Sequence, residues 1–241
     1  AYSPLTHDDI IFVDVGQGDC VHIKAGGKNI LIDGGGAVEY NVGKNKLKPY
    51  LLKNGVSKVD AAIATHRHTD HYKGLTELSE CMKTGEIYTE MTKGKTLRIS
   101  EDVYIETVWP LTLPEGRTQD ENKDCSVFLI HYGRYKVLIT GDLDKEGERA
   151  LIKHYAGTDT LKADILKIGH HGSRTSTSPE FLSAVSPDAA VIQVGRNNYG
   201  HPSEETLKTL DAFGCVMFRN DTDGAVGISF DKKKIRIHTN F

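Results

Sequence analysis

His66, His68, Asp70 and His71 fall within six consecutive residues, His66-Arg67-His68-Thr69-Asp70-His71. An imidazole offers a neutral nitrogen and a carboxylate an anionic oxygen, and together they suit zinc, manganese or iron. His66 and His68 are two apart at the end of an apolar strand, so both side chains project to one side. Asp70 and His71 follow where the chain turns toward a helix, in position to face a second ion. Gly74 leaves room there for a close backbone approach. A solvated polar turn is the bland alternative, and three imidazoles with a carboxylate at this spacing argue against it.

Six residues cannot close two coordination spheres, so more distant ligands are required. Asp142 ends Leu138-Ile139-Thr140-Gly141-Asp142 just past an apolar run, where its carboxylate can bridge two ions. His170 and His171 follow another apolar strand in Lys167-Ile168-Gly169-His170-His171-Gly172-Ser173. His170 is taken as the ligand and His171 as a candidate general acid, with the reverse assignment left open. Asp33, in Leu31-Ile32-Asp33-Gly34-Gly35-Gly36, repeats the strand-then-carboxylate pattern and is expected to orient a ligand histidine from behind. Four polar clusters each follow an apolar strand, as expected when sheet ends converge on one site.

The elements that must position these clusters are readable in outline. Strands are expected over 10–15, 20–24 and 29–33, the last two as a hairpin about Gly26-Gly27. A helical stretch over 42–54 is interrupted by Pro49, and 59–64 is a strand. Strands over 126–132 and 135–140 form a second hairpin. Helices over 144–154, 179–185 and 203–213 alternate with strands over 163–168 and 189–194, and three short strands close the chain. Sheets carrying helices on their outer faces follow, in one domain, 1–241, of two comparable halves.

Composition narrows the rest. A formal net charge of −3 advertises no global attraction to nucleic acid. Four scattered cysteines form no CxxC pair and read as free thiols. No apolar run approaches the roughly 20 residues that span a bilayer, and no signal peptide is recognisable. The first residue is Ala rather than Met, which points to a processed protein or a piece of a longer one.

These motifs resemble the metallo-β-lactamase superfamily, whose hallmark is HxHxDH followed by later Asp and His ligands. The likeness extends to the soluble domain of ComEC-type DNA-internalisation competence proteins. Phe12-Val13-Asp14-Val15-Gly16-Gln17-Gly18-Asp19, the run from Leu31, Asn41-Val42-Gly43, the Gly169 motif and Tyr199-Gly200-His201-Pro202 all resemble that family. The resemblance covers about residues 10–230. It implies an α/β fold of the αββα four-layer sandwich type and a metal-dependent phosphodiesterase with two divalent ions, zinc or manganese. It also implies DNA as substrate, a partner membrane channel in the same protein, and a place on the outer face of the membrane. Many competence relatives carry Asp where this chain has His68, so the fuller ligand motif is present here.

Many superfamily hydrolases place a further ligand histidine before the bridging aspartate, and here only His131 lies between His71 and Asp142. If Gly133-Arg134 is a two-residue turn, paired positions sum to 267, which sets Cys125 opposite Asp142 and His131 opposite Lys136. His131 then lies about 16 Å from Ser126 along the strand at ~3.3 Å per residue, out of reach of the site. Asn122, Asp124, Cys125 and Ser126 arrive near the site instead.

Catalytic roles are expected for His171, His201 and Asp70, and substrate-binding roles for Ser126, Ser173 and Asn122, with Thr175 and Ser176 as further hydroxyl donors. His201 equally suits a plain turn before a helix capped by Ser203. Lys44, Lys46, Lys48, Lys53 and Lys58 occur in a stretch without acids and form either a phosphate-tracking edge or a solvated face. Lys232, Lys233 and Lys234 read as a polar turn. Two other functions compete with a nuclease: a hydrolase of another ester, such as phosphocholine held in an aromatic cage, and a metal-stabilised module that guides DNA without cutting it.

Overall fold

The computed structural model describes residues 9–112, 122–231 and 234–239. In chain order the strands are β1 Asp9–Phe12, β2 Val21–Ala25, β3 Lys28–Ile32, β4 Lys58–Val59, β5 Ala61–Ile63, β6 Lys83–Thr84, β7 Ile87–Tyr88 and β8 Thr96–Arg98. They continue with β9 Val103–Trp109, β10 Val127–Tyr132, β11 Tyr135–Ile139, β12 Ile165–Lys167, β13 Ala189–Ile192, β14 Val216–Arg219, β15 Val226–Phe230 and β16 Ile235–Thr239. The helices are α1 Lys48–Lys53, α2 Thr69–Ser79, α3 Lys145–His154, α4 Pro179–Val185, α5 Glu204–Phe213 and the single turn α6 Asn220–Asp223.

Two seven-stranded sheets form, ordered β16-β15-β1-β2-β3-β5-β7 and β14-β13-β12-β11-β10-β9-β8. Each is antiparallel through its hairpins and parallel beyond: β3, β5 and β7 in one, β11 to β14 in the other. Three apolar layers hold the stack together. Ile10, Phe12, Ile23 and Ile63 of the first sheet meet Ile105, Phe128, Ile139 and Val191 of the second. Leu47, Leu51, Leu75 and Leu78 cover the outer face of the first sheet, and Leu151, Phe181, Leu182 and Leu210 that of the second. Strands buried on both faces need no polar alternation, which explains runs such as Asp9-Ile10-Ile11-Phe12, buried throughout. The order helix, sheet, sheet, helix is the expected αββα sandwich.

The hairpin arithmetic holds: Tyr132 pairs with Tyr135, His131 with Lys136 and Phe128 with Ile139. His131 Nε2 donates to Glu106 Oε2 at 3.0 Å and its ring stacks on Tyr104. The run expected as one strand over 59–64 is two, because β4 leaves the large sheet to pair with β6. Pro49 does not interrupt its helix. Residues Gly43–Leu47 form a wide π-turn that runs into α1, so Pro49 sits in the first turn of α1, where a missing N–H costs least. The cap expected at Ser203 forms, its Oγ accepting from Thr206 N at the start of α5; at α3 Asp144 accepts from Glu146 N and Gly147 N. The expected polar turn at Lys232 and Lys233 lies outside the described residues. Cys20, Cys125 and Cys215 are buried and Cys81 partly so, all as free thiols.

Candidate metal centre

Parallel strands leave their carboxyl ends at one edge, and there the polar clusters meet. Asp33 follows β3, His66 follows β5, Asp142 follows β11, and the two adjacent histidines follow β12. His68 occupies the N-cap of α2 and Asp70 its first turn, where the positive end of the helix dipole favours a carboxylate. Gly74 permits the approach: a Cβ there would lie 1.9 Å from Gly34 O.

Asp142 is 2% exposed and central. His71 Nε2 lies 3.1 Å from its Oδ1 and His171 Nε2 3.7 Å, while His66 Nε2 and His170 Nε2 lie 3.9 and 3.6 Å from its Oδ2. The donor atoms of Asp70, His71, Asp142 and His171 fall within 4.8 Å of one another, and so do those of His66, His68 and Asp142. One carboxylate thus belongs to both groups.

The opposite ring nitrogens are already engaged. His66 Nδ1 donates to Thr65 Oγ1 at 3.0 Å, His71 Nδ1 to Asp33 Oδ2 at 2.9 Å, and His171 Nδ1 to Gln193 O at 2.9 Å. With the rings neutral, as metal ligation requires, those bonds leave the Nε2 lone pairs of His66 and His71 facing Asp142 and that of His171 facing Asp70 and Asp142. Asp33, at φ 58, is held by Thr65 N and Thr65 Oγ1, and acts behind His71 as the sequence suggested. His66 Nε2, His71 Nε2 and Asp142 Oδ1 are buried without hydrogen-bond partners. Orphaned acceptors converging on one point fit divalent cations, since buried polar atoms are otherwise satisfied.

Charge leads to the same end. Asp19, Asp33, Asp70 and Asp142 crowd together, with Lys167 as the fully buried cation in contact with Asp19. Burial alone would lower the imidazoles, but the carboxylates around them outweigh it: His71 is held well above its ordinary value and His171 is pushed up to about 10. Burial likewise opposes ionisation of Asp142, and His71 and His171 overcome it, holding the carboxyl well below its usual range. The cavity therefore demands positive charge, as protons or as metal.

The two adjacent histidines are placed the other way round from the expectation. His171 is 1% exposed and sits within the Asp70 group, whereas His170 is partly exposed, with its Nδ1 3.3 Å from Asn122 Nδ2 and its ring 5.5 Å from that of His201. Both have positive φ, 49° and 53°, and this strained turn sends consecutive side chains to different sides of Asp142. His171 cannot be an exposed general acid in this position. Asn122 and His201 do reach the site. Ser126 does not: it is fully buried and its hydroxyl donates to Met91 O at 2.7 Å. Ser173 is also buried and pairs with Thr175 Oγ1 at 2.9 Å, and Ser176 donates to Leu143 O. These hydroxyls are satisfied within the fold, by Met91 O, Thr175 Oγ1 and Leu143 O, rather than offered to a substrate.

Asp19, Lys167, Thr65 and Gln193 complete the site and were missed. Asp19 Oδ1 lies 3.2 Å from His171 Nδ1, and Lys167 Nζ donates to Gly141 O at 2.9 Å. One signal existed for Lys167: a charged residue inside Ile165-Leu166-Lys167-Ile168, a strand otherwise apolar on both faces. Of the lysine run, Lys58 is paired with Asp60 Oδ1 at 2.7 Å, while Lys46 reaches the Gly16 turn.

A family model of the metallo-β-lactamase superfamily matches residues 13–93 and 112–196. The chain is 33% identical over 221 residues to competence protein ComA of Neisseria gonorrhoeae, covering 88% of this chain and 31% of that protein. It is 29% identical over 258 residues to ComE operon protein 3 of Bacillus subtilis (90% and 32%) and 28% over 235 residues to Recombination protein 2 of Haemophilus influenzae (93% and 29%). The chain spans about a third of the length of these relatives. Among solved structures, the diiron β-hydroxylase CmlA of Streptomyces venezuelae superposes with a TM-score of 0.60 at 15% identity, over 95% of this chain and 55% of that one. YhfI of Bacillus subtilis superposes at 0.56 and 14%, over 88% and 96%. At these identities the structural likeness concerns the fold. No helix among the described residues is long and apolar enough to cross a membrane.

Proposed function

Because the chain belongs to the metallo-β-lactamase superfamily, we propose that it is a metal-dependent phosphodiester hydrolase acting on DNA during competence-related uptake. The observation that carries this reading is the convergence of His66 Nε2, His71 Nε2 and Asp142 Oδ1, buried and unpartnered, on one point. In this reading His66, His68 and Asp142 hold one divalent ion, with His170 facing the same carboxylate oxygen. Asp70, His71, His171 and Asp142 hold a second. Zinc or manganese suits the donor set. A pair of such ions, when bound, supplies Lewis acidity toward a phosphoryl oxygen and an attacking water.

The chain's own residues do the rest. Asp33, Thr65 and Gln193 lock the ring orientations, so the donors need no reorganisation. Asp19 with Lys167 fixes the floor beneath His171. His201 is partly exposed beside His170, with its Nδ1 buried and unpartnered. In this reading it hands a proton to the leaving oxygen, and Asn122 steadies His170. DNA as substrate rests on the competence relatives, as does a working position on the outer face of the membrane beside a channel. Trp109 is withdrawn from any aromatic cage for a choline ester, because its Nε1 donates to Lys123 O at 2.9 Å and the ring packs against the helix layer.

The test is hydrolysis of end-labelled single- and double-stranded DNA with Mn²⁺, Zn²⁺ or Mg²⁺, with Asp142→Ala in parallel and bound metal quantified. Metal-dependent cutting that disappears with Asp142→Ala is expected. Metal-loaded protein that cuts neither DNA would favour another ester or a guiding module.

A further inference from the structure

The rim of the centre carries groups that hydrolysis itself does not use. Tyr199 is 76% exposed, yet its loop is firmly built. Asn197 Oδ1 accepts from Tyr199 N at 3.0 Å and His201 N at 3.1 Å, and Asn197 Nδ2 donates to Gly195 O at 2.9 Å and His201 O at 2.8 Å. The Tyr199 ring lies 5.9 Å from that of His201, which lies 5.5 Å from His170. Two ring contacts therefore connect an exposed aromatic face to the histidine beside Asp142. An isolated exposed tyrosine needs no explanation. One carried on a loop fixed by four hydrogen bonds at the mouth of a charged centre does.

Cations flank the same loop. Gly195 fits against the Gly16-Gln17 turn so closely that a Cβ would meet Gly16 C at 2.4 Å, and Gly195 N donates to Gln17 Oε1 at 3.3 Å. Arg196 follows directly and is exposed. Across the contact, a Cβ on Gly16 would lie 3.4 Å from Lys46 Nζ. Neither Arg196 nor Lys46 forms an ion pair among the described residues.

An aromatic face with cations beside it matches a polynucleotide whose bases are free to leave the stack. Bases of a duplex are already stacked on each other and cannot lie on a protein ring without being unpaired. We propose that Tyr199 is a base-stacking platform which, with Arg196 and Lys46 gripping phosphates, selects single-stranded polynucleotide at this site. This rests on the phosphodiester reading above, and binding can be measured apart from cleavage.

Fluorescence anisotropy with phosphorothioate oligothymidylate, an abasic oligonucleotide of equal length and charge, and a duplex tests it on the full chain. Wild type is expected to bind oligothymidylate about 5- to 150-fold tighter than the abasic strand, the range for one stacked base. Tyr199→Ala should abolish that preference and Tyr199→Phe retain it. Arg196→Ala should weaken both strands alike and reduce the salt slope by about one. Equal binding of the two strands by wild type, a preference that survives in Tyr199→Ala, or binding of neither strand overturns the platform. A clear Tyr199-dependent preference in a metal-loaded protein that cuts no DNA would instead refute the nuclease reading and leave the platform standing.

Discussion

Lys167→Met is the perturbation whose cost can be worked out most directly. The ammonium group is fully buried, touches Asp19 and donates to Gly141 O at 2.9 Å, one residue before the shared carboxylate. Methionine keeps the apolar stem, one atom shorter, but leaves Asp19, 1% exposed, without its lysine cation. Removing one partner of a buried pair costs about 3–5 kcal/mol, chiefly because the survivor stays buried and charged. Two imidazole nitrogens remain near Asp19, His171 Nδ1 at 3.2 Å and His71 Nδ1 at 3.7 Å, so the lower end, about 3 kcal/mol, is expected. For a domain of this size each kcal/mol moves the melting temperature by roughly 2–4 °C, giving a fall of about 6–12 °C. Thermal and urea melts of the metal-stripped protein measure this, with Asp19→Asn and the double variant closing a cycle. The double variant should cost at least about 1 kcal/mol less than the sum of the singles, within the range seen for residues in contact. A single variant within about 1 kcal/mol of wild type, or simple additivity, would refute the view that Lys167 exists to neutralise Asp19.

Asp33→Ala removes the acceptor of His71 Nδ1 and the anchor of Thr65; metal affinity should fall about 10- to 100-fold in competition with a chelator, and an unchanged affinity would remove Asp33 from the site. Metal uptake at pH 7 should release about two protons, because His71 and His171 are held protonated by their carboxylates and must ligate as neutral rings; calorimetry in buffers of different ionisation enthalpy counts them, and a count near zero contradicts the charge balance drawn above. His22 is fully buried between Tyr50 Oη at 3.0 Å and Asn29 Oδ1 at 3.1 Å, and burial pushes it down to about 4. Between that value and its unfolded value of about 6.5, the unfolded chain binds the proton and the folded chain does not. Stability should therefore fall by about 3 kcal/mol as pH drops through this window. His22→Gln should flatten the part of the slope due to this residue, and urea melts at pH 7.5 and 4.5 giving the same difference between variant and wild type at both would exclude it.

Much of the site was legible because its chemistry is local. His66-Arg67-His68-Thr69-Asp70-His71 declares its ligands by spacing alone, and Asp142 is marked by the apolar strand that delivers it. The register of β10 on β11 was fixed by a two-residue turn and a side-chain period of two, enough to exclude His131. Other features depend on groups far apart in the chain. His171 rather than His170 turns toward Asp70 because residues 101 apart are brought within 3.1 Å and Gln193 O captures the far nitrogen. Asp19 joins the site only because the Gly16 turn is pressed onto the start of α2, with Asp19 N donating to Asp70 O at 3.1 Å. Sequence alone thus determined which residue types stand at strand ends, since periodicity and turn chemistry act over a few residues. Only the packing of the two sheets decided which way each side chain at those ends points, because in an irregular turn its direction is set by whatever long-range partner satisfies it.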